Sequence, residues 1–108
     1  MGREYLGELE ELILTMVGIL QDDAYGNAIV KEINEQVNRE VSIAAAHVTL
    51  YRLEDKGYVK SRVGGATKTR GGRRKRIYSL TSAGLAMLRV TKEDRIRLWK
   101  LLPEVRSS

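Results

Sequence analysis

Cysteine is absent from this chain of 108 residues, and histidine, tryptophan and proline each occur once. Without cysteine the protein has no disulfide, no thiolate metal ligand and no thiol nucleophile, a composition that suits a reducing cytosol. The single histidine, His47, has no second histidine or cysteine with which to complete a zinc site. We therefore expect no metal and no cofactor, and a fold that is stabilised by packing alone.

Long apolar runs are missing as well. The apolar stretch Leu12 to Gln21 contains no charged residue, but it is only about half of the roughly 20 residues that a transmembrane helix needs. Acidic residues crowd the first positions, where a signal peptide would be basic, and Leu6 stands where a myristoylation motif has serine or threonine. The expectation is a cytoplasmic protein with no membrane partner.

The sequence also lacks a set of side chains that could carry out catalysis. The segment GGATKT, residues 64–69, faintly resembles a phosphate-binding loop but does not have the GxxxxGK[ST] spacing. Asp22 and Asp23 are adjacent but have no third catalytic partner, so we interpret them as a loop and a cap for the following helix. With one histidine and no cysteine, no nucleophile and base can be paired, and the chain is predicted not to be an enzyme.

Charge, by contrast, is abundant and strongly segregated along the chain. Residues 1–40 hold three basic and nine acidic residues, whereas residues 41–80 hold ten and two, and residues 81–108 hold six and three. The middle of the chain is therefore a basic island within a protein of net charge +5 and pI about 9.7. Such segregation favours an anionic partner, with nucleic acid ahead of an acidic membrane surface.

Hydrophobic spacing predicts four helices and one hairpin. Each helix has apolar residues at intervals of three and four, whereas the hairpin has the alternation and β-branched residues of strands. Ser42 is the expected N-cap of the third helix, and Gly57 is expected to end it. The predicted elements are helices over residues 6–20, 25–38, 43–56 and 82–102, and strands over residues 58–63 and 73–80.

Three helices followed by a basic hairpin is the order of a winged helix-turn-helix, in which the third helix enters the major groove. The predicted fold class is therefore mainly α with a small β-hairpin. It comprises a winged helix-turn-helix DNA-binding domain over residues 1–81 and a C-terminal dimerisation helix and tail over residues 82–108. The alternative functions that this fold leaves open are an RNA-binding module and a protein-interaction module.

On the third helix, Ala46, Leu50 and Leu53 share one face and are predicted to be buried. The remaining positions form the candidate reading face, with small side chains for thymine methyls and polar ones for base edges or phosphates. Three alternatives stay open here: Thr49 bonds only its own helix, Tyr51 packs against the wing, or His47 is simply exposed. The candidate DNA contacts on this helix are Ala44, Ala45, His47, Val48, Thr49, Tyr51 and Arg52.

The hairpin is the candidate wing. Its two adjacent glycines permit a tight turn and close approach of the backbone to DNA, and its basic side chains supply phosphate contacts that release counterions. The candidate DNA contacts on the wing are Lys68, Arg70, Gly71, Gly72, Arg73, Arg74, Lys75 and Arg76.

The final helix is about 20 residues, or roughly 30 Å, long and has no following element to bury its apolar side chains. Dimerisation through this helix is therefore predicted, and the alternative is that it folds back on the first helix. The candidate interface residues are Leu85, Leu88, Ile96, Trp99 and Leu102.

Two motifs resemble the PadR family of bacterial transcriptional regulators. They are LYRLEDKGYV, residues 50–59, and GGRRKRIYSLT, residues 71–81, with Gly84 following. The resemblance is to the short members with a single closing helix, and it extends from about Leu6 into that helix.

This resemblance implies a homodimeric repressor that binds a palindromic operator in double-stranded DNA, often near its own gene. Some members respond to a small hydrophobic or phenolic effector, and short members carry a tryptophan at the dimer interface. Trp99 is on the corresponding helix, so it is the candidate effector contact. The alternative is that Trp99 is a plain interface residue.

Overall fold

The computed structural model describes residues 5–64 and 75–104. Within these ranges the chain forms four α-helices and a two-stranded antiparallel hairpin. The expected fold class is confirmed, and every helix begins and ends within two residues of its predicted bounds. The elements are α1 (Glu8–Leu20), α2 (Gly26–Val37), α3 (Ile43–Asp55), β1 (Val59–Val63), β2 (Arg76–Leu80) and α4 (Ser82–Leu101).

Short polar side chains and one glycine define the ends of the helices around the hairpin. The Ser42 Oγ accepts a hydrogen bond from the Ala45 N–H at 3.1 Å, which confirms the expected N-cap of α3. Gly57 follows α3 with φ at +82°, in the left-handed region where glycine is favoured, and this confirms the predicted end. Thr81 caps α4 by accepting from the Gly84 N–H at 3.0 Å.

The prediction that Asp22 and Asp23 cap the second helix is wrong. Both aspartates lie in a single 3₁₀ turn, Gln21–Asp23, and the N-cap of α2 is Tyr25, whose side chain makes no capping hydrogen bond. The physical reason is distance along the chain, because Ala24 and Tyr25 stand between the aspartates and the first helical residue. α2 therefore begins without a carboxylate at its first turn.

The core lies where α1, α2 and α3 meet. Ile13, Leu14, Ile29, Leu50 and Leu53 are fully buried, each a large aliphatic side chain from one of the three helices. Burial of such a side chain stabilises the fold by about 1.5–3 kcal/mol. The buried face of α3 is the one that the spacing predicted, and it leaves the opposite face of that helix in solvent.

The hairpin is attached to this core through its inner face. Tyr58 and Tyr78 are buried, and the Tyr78 N–H donates to the carbonyl of Ala24 at 2.8 Å. Burial raises the pKa of the Tyr78 phenol above its usual value. Val59 pairs with Leu80 and Val63 with Arg76, so the antiparallel hairpin extends outward from the core. The base of the wing is therefore fixed against the helices.

Gly84, in the first turn of α4, packs directly on backbone. A Cβ at this position would lie 2.2 Å from the carbonyl oxygen of Tyr58, closer than any real contact of that kind. The absence of a side chain therefore lets α4 begin against the start of β1.

We expect Gly84→Ala to destabilise the fold by roughly 1–3 kcal/mol, the usual cost of overpacking, because the atom it meets belongs to the backbone. The matched control is Gly18→Ala in α1, where the new Cβ would meet only the flexible end of Leu80 at 3.3 Å. Alanine is the better helix former, so the control should be neutral or slightly stabilising. Urea unfolding of both variants tests this, and equal midpoints would contradict the packing argument.

One side of α4 packs on its own chain. Met87 and Leu88 are half-buried against the core, and the Arg95 Nη2 lies 2.5 Å from the Glu11 Oε1 of α1. Folding back on α1, the alternative left open by the sequence, thus describes this side of the helix. Leu88, a candidate interface residue, contributes to the fold of its own chain. Within residues 5–64 and 75–104, no helix is both long enough and apolar enough to span a bilayer.

Candidate nucleic-acid interface

The exposed face of α3 carries most of the predicted contacts of that helix. Val48 is 53% exposed and Tyr51 74%, so Tyr51 does not pack against the wing. Ala44, His47 and Arg52 are also exposed, and Ala45 is half-buried. Four of these residues line a shallow depression of about 530 Å³ together with Asp55; they are His47, Val48, Tyr51 and Arg52.

Thr49 is separate from this face. It is only 6% exposed, and its hydroxyl donates to the carbonyl of Ala45 at 2.8 Å, so it hydrogen-bonds its own helix. The spacing contains the signal for this, because Thr49 is three residues after Ala46 and four before Leu53, both of which are buried. We therefore leave Thr49 out of the proposed DNA contacts.

A cleft of about 370 Å³ lies beside this face, between the start of α2, α3 and the base of the wing. The Lys75 Nζ lies 4.0 Å from the centroid of the Tyr25 ring, a cation–π contact that holds the ammonium at the mouth of the cleft. Gly26 leaves room for the imidazole of His47, since a Cβ there would lie 3.0 Å from the ring. The lining residues are Tyr25, Gly26, Asn27, His47, Lys75, Arg76 and Tyr78.

This cleft, with Lys75 and Arg76 on one side and the N-terminal end of α2 on the other, favours an anion such as a phosphate. It joins His47 of the candidate reading face to two of the candidate wing residues. The contributions of Tyr25 and Asn27 were missed by the sequence reasoning, because nothing in the linear spacing brings residue 25 near residue 75.

The remaining wing candidates lie outside the described residues. They are Lys68, Arg70, Gly71, Gly72, Arg73 and Arg74. They stay predictions from the sequence.

One hydrogen-bonded link connects α3 to both strands of the wing. The Ser61 hydroxyl donates to the Glu54 Oε2 at 2.6 Å and accepts from the Arg76 Nη1 at 2.9 Å. Ser61 is opposite Tyr78 in the hairpin register, and Arg76, two residues before Tyr78, is on the same face of β2. A single hydroxyl thus joins a carboxylate of α3 to a cation of the wing.

A second polar link connects the end of α3 to α1. The Lys56 Nζ lies 2.8 Å from the Glu10 Oε2, while the Glu10 Oε1 accepts from the Gly7 N–H at 2.8 Å. Burial alone raises the pKa of the Glu10 carboxyl, but hydrogen bonds from Lys56 and Gly7, with the positive charges of Lys56 and Arg52, outweigh it. The pKa of Glu10 is therefore held below its usual value.

We expect this link to make stability sensitive to acid. Because the pKa of Glu10 is lower in the folded state than in the unfolded state, its stabilising contribution is present above the ordinary glutamate pKa of about 4.3. It is lost as the pH falls from there through the lowered value. Glu10→Gln should therefore cost on the order of 1 kcal/mol at pH 7 and much less at pH 3. Thermal unfolding across this range, with exposed Glu35→Gln as the control, measures the difference; a constant cost would contradict the assignment.

Several large apolar side chains on α4 and at its C-cap are left in solvent, most of them towards the C-terminal end. Among the candidate interface residues, Trp99 is 72% exposed, Leu102 55%, Ile96 42% and Leu85 40%. Leu98 and Leu101 are also exposed and were not predicted. Beside them, a groove of about 430 Å³ runs between Tyr5 and Leu6 at the N-terminal end and Val90 and Leu98 on α4. Trp99 does not line this groove.

The helix order, the hairpin after α3 and the basic cleft between them together define a winged helix-turn-helix protein. A family model described as the transcriptional regulator PadR-like family matches residues 13–90. The chain belongs to this family. Its members are transcriptional regulators rather than enzymes, which confirms the prediction that the chain is not an enzyme.

Several solved structures of transcriptional regulators have the same fold. A PadR family transcription regulator from Clostridium difficile R20291 is 28% identical, with a TM-score of 0.70 over 88% of this chain and 94% of that one. A transcriptional regulator from Clostridium thermocellum is 25% identical, with a TM-score of 0.70 over 86% and 84%. Bacillus subtilis PadR in complex with operator DNA is 20% identical, with a TM-score of 0.63 over 93% of this chain and 52% of that one. No curated protein matches the chain in sequence.

Proposed function

We propose that this regulator binds operator DNA as a homodimer and represses transcription. The exposed face of α3 enters the major groove and reads base edges, with His47, Val48, Tyr51 and Arg52 as its central contacts. The observation that carries this proposal is the cleft in which His47 meets Lys75 and Arg76, because it joins a reading surface to a phosphate-binding one. The operator complex of the Bacillus subtilis relative supports the same use of the fold.

The proposed DNA contacts fall into two groups, those to bases and those to phosphates. Ala44, Ala45 and Val48 present methyl groups suited to thymine, while Arg52 and His47 can hydrogen-bond bases or phosphates. Lys75 and Arg76, with the predicted wing residues Lys68, Arg70, Gly71, Gly72, Arg73 and Arg74, follow the phosphate backbone. Such contacts position the domain without reading sequence.

The C-terminal end of α4 supports the dimer. Ile96, Trp99 and Leu102 are large apolar side chains that are exposed to water at three-residue spacing, and exposed apolar patches mark interaction sites. Pairing of two such helices covers these side chains and places two copies of α3 on one side of the assembly, one helical turn of DNA apart, about 34 Å. A two-fold symmetric dimer of this kind requires a palindromic operator. The dimerisation unit in this proposal is residues 82–108, and the winged helix-turn-helix is residues 1–81.

Trp99 is also where an effector would bind in this proposal. An indole at a dimer interface offers a flat apolar surface to a small hydrophobic or phenolic molecule. Because Trp99 is the only tryptophan of the chain, its fluorescence reports on both dimerisation and effector binding. No cofactor is needed, and the regulator would act on the nucleoid in the cytoplasm.

The test is a mobility-shift measurement with DNA from upstream of the protein's own gene against a scrambled duplex, at two salt concentrations. Preferential, salt-sensitive binding with two subunits per site is the expected result. Equal weak binding to both duplexes would reject self-regulation. Tighter binding to single-stranded RNA than to either duplex would favour the RNA-binding alternative.

A further inference from the structure

We infer that Glu54 and Ser61 are positioning residues that orient Arg76 of the wing for its contact with DNA phosphate. The inference rests on the proposed function, because Arg76 acts on DNA only if the chain binds DNA. Neither Glu54 nor Ser61 is a candidate DNA contact. Their role follows from the hydrogen-bonded link that joins α3 to β1 and β2.

The first step concerns Ser61. Its hydroxyl is a donor and an acceptor at once, and both functions are used: it donates to Glu54 at 2.6 Å and accepts from Arg76 at 2.9 Å. Because its hydrogen is committed to the Glu54 carboxylate, the oxygen lone pairs are turned towards the guanidinium. The geometry of Arg76 is thus determined by a residue on another element.

The second step concerns Glu54. The region around α3 and the wing is strongly basic, and a carboxylate there repels DNA. Glu54 is half-buried in the last turn of α3 and bonded to a wing strand, so its oxygen is directed at the hairpin and away from the exposed reading face. The carboxylate therefore acts on the wing, as a fixed acceptor that keeps the base of the hairpin aligned with the recognition helix.

The third step concerns Arg76 itself. It is exposed, it lies on the same hairpin face as Ser61, and it also lines the basic cleft with Lys75 and His47. An exposed arginine normally samples many rotamers, and fixing one of its nitrogen atoms on Ser61 reduces that freedom. The rest of the guanidinium then has donors left for a phosphate oxygen at the cleft.

The experiment measures the affinity for a random-sequence 30-base-pair duplex over a range of salt concentrations. The magnitude of the slope of log affinity against log salt concentration, called the salt slope, reports the number of phosphate contacts. Glu54→Ala is expected to lower the slope by about one, as Arg76→Ala does, because the guanidinium is no longer held in place. The double variant should show no further loss. Glu54→Gln keeps an oxygen acceptor for Ser61 and should retain the wild-type slope.

A second pair of variants leaves the net charge unchanged. Ser61→Ala removes the bridging hydroxyl and should lower the slope by about one, whereas Ser61→Thr keeps the hydroxyl on a β-branched residue suited to a strand and should retain it. The Ser61 variants test the positioning role even if Glu54→Ala fails to fold. Thermal unfolding of every variant identifies one that is not folded.

The outcomes separate the two proposals. An unchanged slope in Glu54→Ala and Ser61→Ala, or losses that add in full to that of Arg76→Ala, would overturn the positioning role while leaving DNA binding intact. Tighter binding by both Glu54→Gln and Glu54→Ala would show that Glu54 acts only by repelling DNA. No salt-dependent binding by the wild-type protein would instead reject the proposed function, and the inference with it.

Discussion

Replacement of both Lys75 and Arg76 by alanine is expected to weaken binding to DNA of any sequence by on the order of tenfold to a hundredfold. The two side chains supply the cations of the cleft beside His47, and each lost phosphate contact lowers the salt slope by about one. The slope should therefore fall by about two. Preference for the operator over a scrambled duplex should change little, because phosphate contacts carry no sequence information.

The matched control is Arg89→Ala with Lys92→Ala, which removes the same charge from exposed positions of α4. If the cleft binds phosphate, the control changes affinity only slightly through the overall field of the protein. Equal losses in the two double variants, measured by fluorescence anisotropy over a range of salt concentrations, would mean that net charge alone is responsible.

The second large effect is expected from Ile96→Glu combined with Trp99→Glu. Burial of these two side chains in a dimer contributes about 1.5–3 kcal/mol each, and two carboxylates in their place would face each other across the interface. The variant should be monomeric by sedimentation. It should lose on the order of a hundredfold or more in operator affinity, because the second half-site no longer binds as part of the same molecule.

The control for this effect is Ile96→Leu with Trp99→Phe, which keeps the surface apolar and should keep the dimer. The unfolding midpoint of the glutamate variant at low protein concentration should match that of the wild-type monomer, since both positions are exposed within one chain. If the glutamate variant is still a dimer, the interface does not include Ile96 and Trp99 and lies elsewhere on the molecule.

Local signals in the sequence were sufficient to predict the bounds of the four helices to within two residues. Ser42 before an apolar run and Gly57 after it predicted the ends of α3 correctly, because capping depends on residues only a few positions apart. The same locality explains why the spacing of Ala46, Leu50 and Leu53 identified the buried face. The aspartates before α2 failed as caps since the cap position was misplaced by two residues.

Residues of the site could be predicted from the sequence only where they all lie on one helix or strand. The exposed residues of α3 follow from its buried face, but the contact of Tyr25 with Lys75 and the link from Glu54 through Ser61 to Arg76 join distant parts of the chain. Such contacts depend on how α2, α3 and the hairpin pack together, and this packing is a property of the whole fold. Thr49 is the opposite case. It was predicted as a DNA contact, although its spacing from Ala46 and Leu53 already implied that it is buried.

The close packing of Gly84 on the Tyr58 carbonyl has a mechanical consequence. Only Thr81 separates β2 from α4, and its side chain bonds both the Gly84 N–H and the Gly57 carbonyl, so the hinge between the wing and the long helix is clamped on both sides. In the proposed dimer α4 is then a lever of about 30 Å, and a 10° tilt at this pivot displaces its far end by about 5 Å. If the proposed dimer forms, the separation of its two copies of α3 would therefore depend on the angle at Thr81.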